Sequence, residues 1–268
     1  GIGEGTLIFS PDGKRVAYGA RVGNKWFVVV DGKEKKQYDG IGKGSLIFSP
    51  DGKRVAYRAQ VGNKMFVVMD GKEGKQYDGI SKGSLIFSPD GKRVAYVAGM
   101  GNKQLAVVDG KEEKQYDGVT ALIFSPDGKR VAYRAKVGNK WLVVVDGKEE
   151  KQYDDIGKGT LIFSPDGKRV AYGARVGNKW FVVVDGKEKK QYDSIGKGSL
   201  IFSPDGKRVA YGAEVGDKWF VVVDGKEEKQ YDDPLFWAGG RIVFDSPDGL
   251  HYLAREGSKI YLVEEKIK

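Results

Sequence analysis

The chain contains no cysteine, and this absence removes several chemistries at once. Disulfide bridges, thiolate metal ligands and cysteine nucleophiles are all excluded, whereas the redox compartment stays undetermined. Histidine is nearly absent as well, since His251 is the single one in 268 residues. A Ser-His-Asp hydrolase therefore has one candidate base, in the most divergent part of the sequence. We interpret His251 as a structural residue at a strand edge beside Tyr252.

Long hydrophobic runs are also missing. The longest kind is five residues, as at 26–30, far shorter than the roughly 20 apolar residues that span a bilayer. We therefore expect a soluble protein without membrane contact. Residues 1–5 lack the basic and apolar regions of a secretory signal and resemble the end of a truncated repeat. Hydrophobic residues still make up 40% of the chain, enough for a folded core beside the 31% that are charged.

What the chain does have is a tandem repeat. Six close copies of Ser-Pro-Asp-Gly-Lys-Arg-Val-Ala-Tyr, 39 residues apart except for one interval of 37, begin at Ser10, Ser49, Ser88, Ser125, Ser164 and Ser203. A seventh, divergent copy contains Ser-Pro-Asp-Gly at 246–249. A period near 40 residues is typical of propeller blades.

Each copy is divided by turn sequences into four short segments. Ser-Pro-Asp-Gly predicts a type I turn, Asp31-Gly32 predicts a type I′ hairpin, and Gly23-Asn24 supplies a third turn. In the first copy the four strands are expected at about 6–10, 14–21, 25–30 and 35–40, by the turn positions. The first three strands are apolar at successive positions, so both of their faces must be buried, and no helical period occurs between them. The charged fourth strand is typical of a solvated edge.

These patterns predict an all-β fold, a seven-bladed β-propeller of four-stranded antiparallel blades in a single domain, 1-268. The approximate repeats are 6-44, 45-83, 84-120, 121-159, 160-198, 199-233 and 234-268. The divergent last blade is expected to have three strands and to pack against the first blade through Ile242, Phe244, Leu253 and Leu262, with residues 233–240 as a cap. The alternative is six blades plus a C-terminal appendage.

The run Phe-Ser-Pro-Asp-Gly-Lys, followed by a strand of small and aromatic residues, resembles the WD40-like (PD40) repeats of the TolB-type propeller family. That resemblance covers essentially the whole chain and is compatible with a periplasmic location. It implies six blades and an additional α/β domain, whereas this sequence contains seven copies. Val30-Asp31 stands where the Trp-Asp pair of eukaryotic WD40 repeats is found, so the resemblance indicates the fold and not the activity.

Basic residues recur in the connection that leads to each new blade. We interpret them first as ordinary solvated loop lysines, and the alternative is that they form an interrupted positive ring around the axis that attracts anions. The candidate ligand-binding residues are Lys43, Lys82, Lys158 and Lys197. Glu4, the shortened third junction and the seventh copy are expected to interrupt such a ring.

No catalytic residue, metal site or cofactor is predicted. Each Ser-Pro-Asp-Gly supplies one carboxylate, fewer than a calcium loop needs. The glycine-rich residues 40–44 lack the Gly-Lys-Ser/Thr ending and the following helix of a phosphate-binding loop.

The sequence therefore favours a non-enzymatic scaffold or binding module, expected to be a monomer that takes a protein or an anionic small ligand at its lysine-bearing face. Two alternatives stay open. The net charge of +9 allows a nonspecific nucleic-acid binder, although the basic residues are spread evenly and interleaved with acidic ones. The identity of residues 6–39 and 160–193 also fits a recently amplified or engineered propeller without a specific biochemical activity.

Overall fold

The computed structural model describes residues 6–233, 235 and 241–267. Its strands form antiparallel sheets, one for each of the seven copies of the repeat. The chain divides into two compact units, Gly1–Val137 and Gly138–Lys268. No helix able to cross a membrane occurs among the described residues.

The first unit contains three complete sheets and the first half of the fourth repeat. The strands of the first sheet are Ile8–Phe9, Val16–Val22, Lys25–Val30 and Lys33–Glu34. Those of the second are Gly40–Ile41, Ile47–Phe48, Val55–Val61, Lys64–Met69 and Lys72–Glu73. Those of the third are Gly79–Ile80, Ile86–Phe87, Val94–Met100, Lys103–Val108 and Lys111–Tyr116. The fourth repeat contributes Gly118–Phe124 and Val131–Val137.

The second unit begins with the remaining strands of the fourth repeat, Lys140–Val145 and Lys148–Glu149. The fifth sheet has Asp155–Ile156, Ile162–Phe163, Val170–Val176, Lys179–Val184 and Lys187–Glu188. The sixth has Ser194–Ile195, Ile201–Phe202, Val209–Val215, Lys218–Val223 and Lys226–Tyr231. The seventh has Val243–Ser246, Gly249–Glu256 and Lys259–Lys266.

The predicted turns are confirmed. In the first sheet the Gly13 amide donates to the Ser10 carbonyl at 2.8 Å and closes the Ser-Pro-Asp-Gly turn. Asp31 and Gly32 have φ values of 51° and 77°, as a type I′ hairpin requires. Gly23, with φ of 57°, begins the two-residue loop between the second and third strands.

Two strand boundaries differ from those expected. The fourth strand of the first sheet pairs at Lys33–Glu34 and again where Tyr38 bridges Trp26, with irregular backbone between them. Gly40 and Ile41, expected at the end of that strand, instead begin the first strand of the next sheet by pairing with Gln60 and Ala59. The chain changes sheets directly after the buried Tyr38.

Neighbouring sheets pack face to face. We call the face that bears the tyrosine of Val-Ala-Tyr the front face of a sheet, and the opposite face its back face. In the first unit one cluster joins the back face of the first sheet to the front face of the second, and its buried members are Ala17, Val28, Val30, Tyr38, Leu46, Val55, Tyr57, Ala59, Phe66 and Val68. Equivalent clusters join the second sheet to the third, the fifth to the sixth and the sixth to the seventh. Burial on both faces explains why the strands are apolar without alternation.

Polar bridges accompany this packing. Asp39 follows the last strand of the first sheet and accepts hydrogen bonds from Lys25 Nζ at 2.6 Å and from the Gly62 amide of the second sheet at 2.7 Å. Arg15 pairs with Asp31 and also donates to the Lys53 carbonyl of the next sheet at 2.6 Å. The second copy repeats these bonds, with Asp78 bound by Lys64 and the Gly101 amide and with Arg54 donating to the Lys92 carbonyl.

The seventh sheet has three strands, as predicted. Its front face, with Ile242 and Tyr252 buried and Phe244 half-buried, packs against the sixth sheet. This is the relation seen between the other sheets, so the last repeat is a blade and not an appendage. The fold is an all-β propeller of seven sheets.

The back face of the seventh sheet corrects one expectation. Leu253 and Leu262 pair across neighbouring strands but remain 38% and 61% exposed. The expectation that Ile242, Phe244, Leu253 and Leu262 pack together is therefore wrong: Ile242 and Phe244 lie in the core shared with the sixth sheet, and Leu253 and Leu262 lie on the opposite, exposed face. The predicted cap at 233–240 lies mostly outside the described residues.

Candidate anion-binding site

The candidate lysines lie in turns that interrupt the first strand of a sheet. In the second sheet, Gly40–Ile41 and Ile47–Phe48 both pair with the same second strand. The residues between them leave the ladder, and the Ser45 amide donates to the Gly42 carbonyl at 3.0 Å. Gly44 has φ of 66° at the third position, as in a type II turn. Lys43 is the second residue of this turn.

The Ser45 hydroxyl accepts a backbone hydrogen bond that the interrupted first strand no longer accepts. Ser45 Oγ accepts from the Arg58 amide at 3.1 Å and donates to the Gly42 carbonyl at 2.6 Å. The second strand therefore keeps a partner where the first strand bulges away. The same hydroxyl contact is made at the other three turns by Ser84, Thr160 and Ser199.

All four predicted lysines have this location, which is the middle of a first strand instead of the expected connection between blades. Each lysine is exposed. Two belong to the first unit, Lys43 and Lys82, and two to the second, Lys158 and Lys197. Their arrangement around one axis stays a prediction.

The four turn lysines differ in their charge partners from Lys25 and Lys36 but not from Lys33 and Lys72, which also form no ion pair among the described residues. Lys25 binds Asp39 at 2.6 Å and Lys36 binds Glu73 at 2.7 Å. Within the described part of the chain the turn lysines form no ion pair. Their charges are therefore available to a ligand.

Arg58 adds a third cation between the two turns of the first unit, and the sequence analysis missed it. Its Nη1 donates to the Ile80 carbonyl, just before the Lys82 turn, at 2.7 Å. Its Nε lies 2.8 Å from where a Cβ on residue 42 would be, so glycine is needed beside it in the Lys43 turn. That Nε is buried and has no hydrogen-bond partner among the described residues.

Burial lowers the pKa of the Arg58 guanidinium, but arginine remains charged at neutral pH. Arg58 could have been singled out from the sequence by its position in the second strand. Four of the six close copies have glycine or valine at that position instead of a cation.

The shortened third junction lacks such a turn. In the fourth repeat the first strand, Gly118–Phe124, is continuous apart from a bulge between Thr120 and Ile123. Ala121 takes up the bulge with φ of 53°. The fourth repeat therefore has no turn lysine at this junction, and Glu4 lies outside the described residues.

The other candidate groups have local roles. His251 Nδ1 lies 2.8 Å from Asp245 Oδ2 on adjacent strands of the seventh sheet. Asp12 accepts from Ser10 Oγ at 2.6 Å and from the Lys14 amide at 3.2 Å, and the Ser10 hydrogen bond is the main reason that the pKa of Asp12 is lowered. The described residues contain no group of three or more side chains suited to hold a metal ion.

Comparisons with known proteins show likeness at the level of fold. No protein-family model matches the sequence, and no curated protein matches it. TolB from Acinetobacter baumannii is 20% identical over 80% of this chain, with a TM-score of 0.37, and the chain spans 62% of that protein's length. The β-propeller domain of the Trilobed protease from Pyrococcus furiosus is 15% identical over 98% of this chain and 97% of its own, with a TM-score of 0.41.

A third similar structure is the Cps50 (Swd1) β-propeller domain from Myceliophteria thermophila, 14% identical over 97% of this chain and 96% of its own, with a TM-score of 0.37. The chain is thus similar in fold to TolB-like and WD40-type propellers. At such low identities the likeness carries no information about activity, and the fold assignment rests on the sheets themselves.

Proposed function

We propose that this propeller is a non-enzymatic binding module that recognises anionic ligands through its turn lysines. One observation carries the proposal. Lys43, Lys82, Lys158 and Lys197 occupy the same turn position in four sheets, exposed and without an ion pair among the described residues. A ligand therefore meets these charges without first breaking an ion pair.

The turns also hold the charges in place. Each lysine stands between two hydrogen-bonded ends of one strand, and the ladder on both sides fixes the backbone of the turn. Preorganised charges lose less entropy on binding than charges on a flexible tail. In the first unit Arg58 supports the site by contacting both turns, which makes the first unit the stronger candidate.

The ligand class follows from this chemistry. Lysine ammonium groups and an arginine fork bind carboxylate or phosphate oxygens. An acidic protein segment or a small polyanion fits this requirement. We do not assign turnover to the site.

Titration of the full chain with hexaglutamate and with tripolyphosphate tests the proposal. The variant Lys43→Glu/Lys82→Glu reverses both turn charges in the first unit. Its matched control is Lys33→Glu/Lys72→Glu, which changes exposed lysines of the first and second sheets by the same total charge. We expect the turn variant to weaken binding by about tenfold or more, equivalent to ~1.4 kcal/mol, and the control variant to stay near wild type.

Equal losses in the two variants would show that net charge alone attracts the anions and would overturn the proposal. Failure of wild type to bind either probe would also overturn it. Titration with single-stranded DNA tests the nucleic-acid alternative, which requires tight binding that falls steeply with salt and depends on both pairs of lysines.

A further inference from the structure

The front-face tyrosines have hydroxyl groups that meet the preceding sheet at one recurring position. Tyr133 donates to Glu113 Oε2 at 2.7 Å, and Tyr172 donates to Glu150 Oε2 at 2.6 Å. Both glutamates are the residue that follows Lys-Glu in the fourth strand of the preceding repeat. A buried hydroxyl thus finds a carboxylate acceptor supplied by its neighbour.

Other repeats lack this acceptor. The equivalent residues are Lys35, Gly74 and Lys189 in the first, second and fifth repeats. They precede Tyr57, Tyr96 and Tyr211, which are all buried. The hydroxyls of Tyr57 and Tyr211 have no hydrogen-bond partner among the described residues. A buried donor without an acceptor is unfavourable, so the positions facing Tyr57 and Tyr211 favour a ligand that supplies one, and the Tyr96 hydroxyl faces the equivalent position at Gly74.

A cavity lies beside each of the three positions that lack the glutamate, namely Lys35, Gly74 and Lys189. The cavity at Gly74 measures about 360 Å³ and has an apolar wall of Val67, Met69, Val94 and Tyr96. Its charged lining residues are Arg54, Lys72, Asp70 and Glu73, and the two carboxylates are already paired, Asp70 with Arg54 and Glu73 with Lys36. The cavity at Lys35 measures about 270 Å³ and is lined by Arg15, Lys35, Lys53, Val30, Val55 and Tyr57, with the Asp70 carboxylate and Gly71 at its edge. The cavity at Lys189 is much smaller, about 50 Å³.

The Gly74 cavity corresponds to the missing glutamate side chain. A Cβ built on residue 74 would lie 3.7 Å from the Tyr96 hydroxyl and 3.1 Å from the Val67 carbonyl oxygen, so a side chain there requires the backbone to shift by a few tenths of an ångström. The Gly74 amide donates to Val67 O at 2.8 Å, and the Glu150 amide makes the equivalent bond to Val143 O at 2.9 Å. The backbone is therefore the same, and the difference is the absent side chain, whose carbons and carboxylate together match propionate.

We propose that the cavities facing Tyr96 and Tyr57 bind short-chain monocarboxylates such as propionate, one per cavity. The ligand's carboxylate accepts the tyrosine hydroxyl hydrogen bond, as Glu113 and Glu150 do elsewhere in the chain. Valine and methionine walls contact the aliphatic part. Beside Tyr57, Lys35 supplies a positive charge that forms no ion pair among the described residues, whereas Arg15 and Lys53 are paired with Asp31 and Asp51. Burial raises the pKa of Tyr57 to about 12, so its hydroxyl remains a donor at neutral pH. Neither of these two cavities is lined by a turn lysine.

Calorimetry and NMR titration of the full chain with sodium propionate test the proposal against sodium chloride at equal ionic strength. We expect two sites, with dissociation constants in about the millimolar range for so small a ligand. Propionamide, which has the same shape without the charge, is expected to bind at least about tenfold more weakly.

Variants assign each site. Gly74→Glu supplies the side chain internally, so it is expected to remove one site and to raise the melting temperature by about 2–4 °C. Lys35→Glu is expected to remove the other site. Lys189→Glu is the matched control, because the cavity beside it is the small one and the number of sites should stay at two. Tyr96→Phe keeps the ring and removes the donor, so it tests the Gly74 site even where a glutamate variant fails to fold.

Three results would overturn the proposal. If titration with sodium propionate gave the same heats and spectral changes as sodium chloride, the cavities would bind no carboxylate. Equal binding of propionamide would show simple filling of apolar space. An unchanged number of sites in Gly74→Glu and Tyr96→Phe would place any bound propionate elsewhere.

Discussion

The first and fifth repeats provide a controlled comparison within one molecule. Residues 6–39 and 160–193 have the same sequence, and they form the same strands. Ile8–Phe9 and Val16–Val22 correspond to Ile162–Phe163 and Val170–Val176, with identical pairing between them. Local structure is therefore independent of the position of the repeat in the chain.

Burial differs sharply between the two copies. Leu7 is 54% exposed, whereas its counterpart Leu161 is 6% exposed. In the fifth sheet the front face meets the preceding repeat, where Tyr172 packs edge-on against Tyr153 and hydrogen-bonds Glu150. The first sheet has no earlier repeat among the described residues. The sequence of a blade is thus sufficient for its strands, but its contribution to stability depends on a neighbour.

The largest expected effect comes from truncating this pair of leucines. Leu161→Ala removes buried methyl groups and is expected to cost about 2–5 kcal/mol, whereas Leu7→Ala at the exposed equivalent should cost less than about 1 kcal/mol. Urea unfolding of both variants measures the difference. Equal losses would mean that the front face of the first sheet is covered in solution and would break the comparison.

An intermediate effect is expected from the two tyrosines. Tyr172→Phe removes the hydrogen bond to Glu150 and should cost about 1–2 kcal/mol, whereas Tyr18→Phe in the half-buried counterpart should cost less than about 0.5 kcal/mol. Unfolding midpoints of the two variants, together with Glu150→Gln and the double variant, isolate the energy of this pair. A Tyr18→Phe cost equal to that of Tyr172→Phe would contradict the assigned role of the preceding repeat.

The smallest effect concerns acid stability. Asp154 accepts hydrogen bonds from Lys140 Nζ at 2.5 Å and from the Gly177 amide of the fifth sheet at 2.7 Å. The Lys140 hydrogen bond, followed by that from Gly177, holds the pKa of Asp154 below its usual value of 3.8. A lowered pKa stabilises the folded state above the unfolded-state value, and this contribution disappears as the pH falls from about 5 through the lowered pKa.

Asp154→Asn should therefore be less stable at neutral pH and lose less stability on acidification. Thermal unfolding between pH 7 and pH 3 measures this slope. Asp217→Asn is the control, since Asp217 is exposed and has no hydrogen bond in the described part of the chain. If the unfolding temperature of Asp154→Asn fell with pH as steeply as that of wild type, the Asp154 hydrogen bonds would not contribute to the difference between the two repeats.

Much of the fold was predictable because turns are encoded locally. The Asp-Gly and Ser-Pro-Asp-Gly sequences have few alternative conformations, so they placed the second and third strands of each repeat and the number of sheets correctly. The interruption of the first strand was missed, because the Gly-Lys-Gly turn becomes a bulge only when both of its flanks pair with the same partner. The exposure of Leu253 and Leu262 was missed for a similar reason, since an apolar pattern does not say whether a neighbour is present.

The candidate site was predictable only in part. The four lysines were found from their recurrence, but the role of Arg58 depends on its contacts with Gly42 and with the Ile80 carbonyl, which are distant in sequence. The carboxylate cavities were not predictable at all. They exist because residue 74 faces a tyrosine from the next sheet, and a glycine in a charged edge strand gives no sign of that.

By itself the sequence determined the repeat, the turns, the four-strand pattern and the two-sided apolar strands, because each depends on residues close together in the chain. Tertiary structure alone decided which of two identical faces is buried, which tyrosine hydroxyl finds an acceptor and where a cation lies between turns. These outcomes depend on contacts between sheets, and a contact between sheets is a property of two segments at once. The two copies of residues 6–39 show this directly, with equal strands and unequal burial.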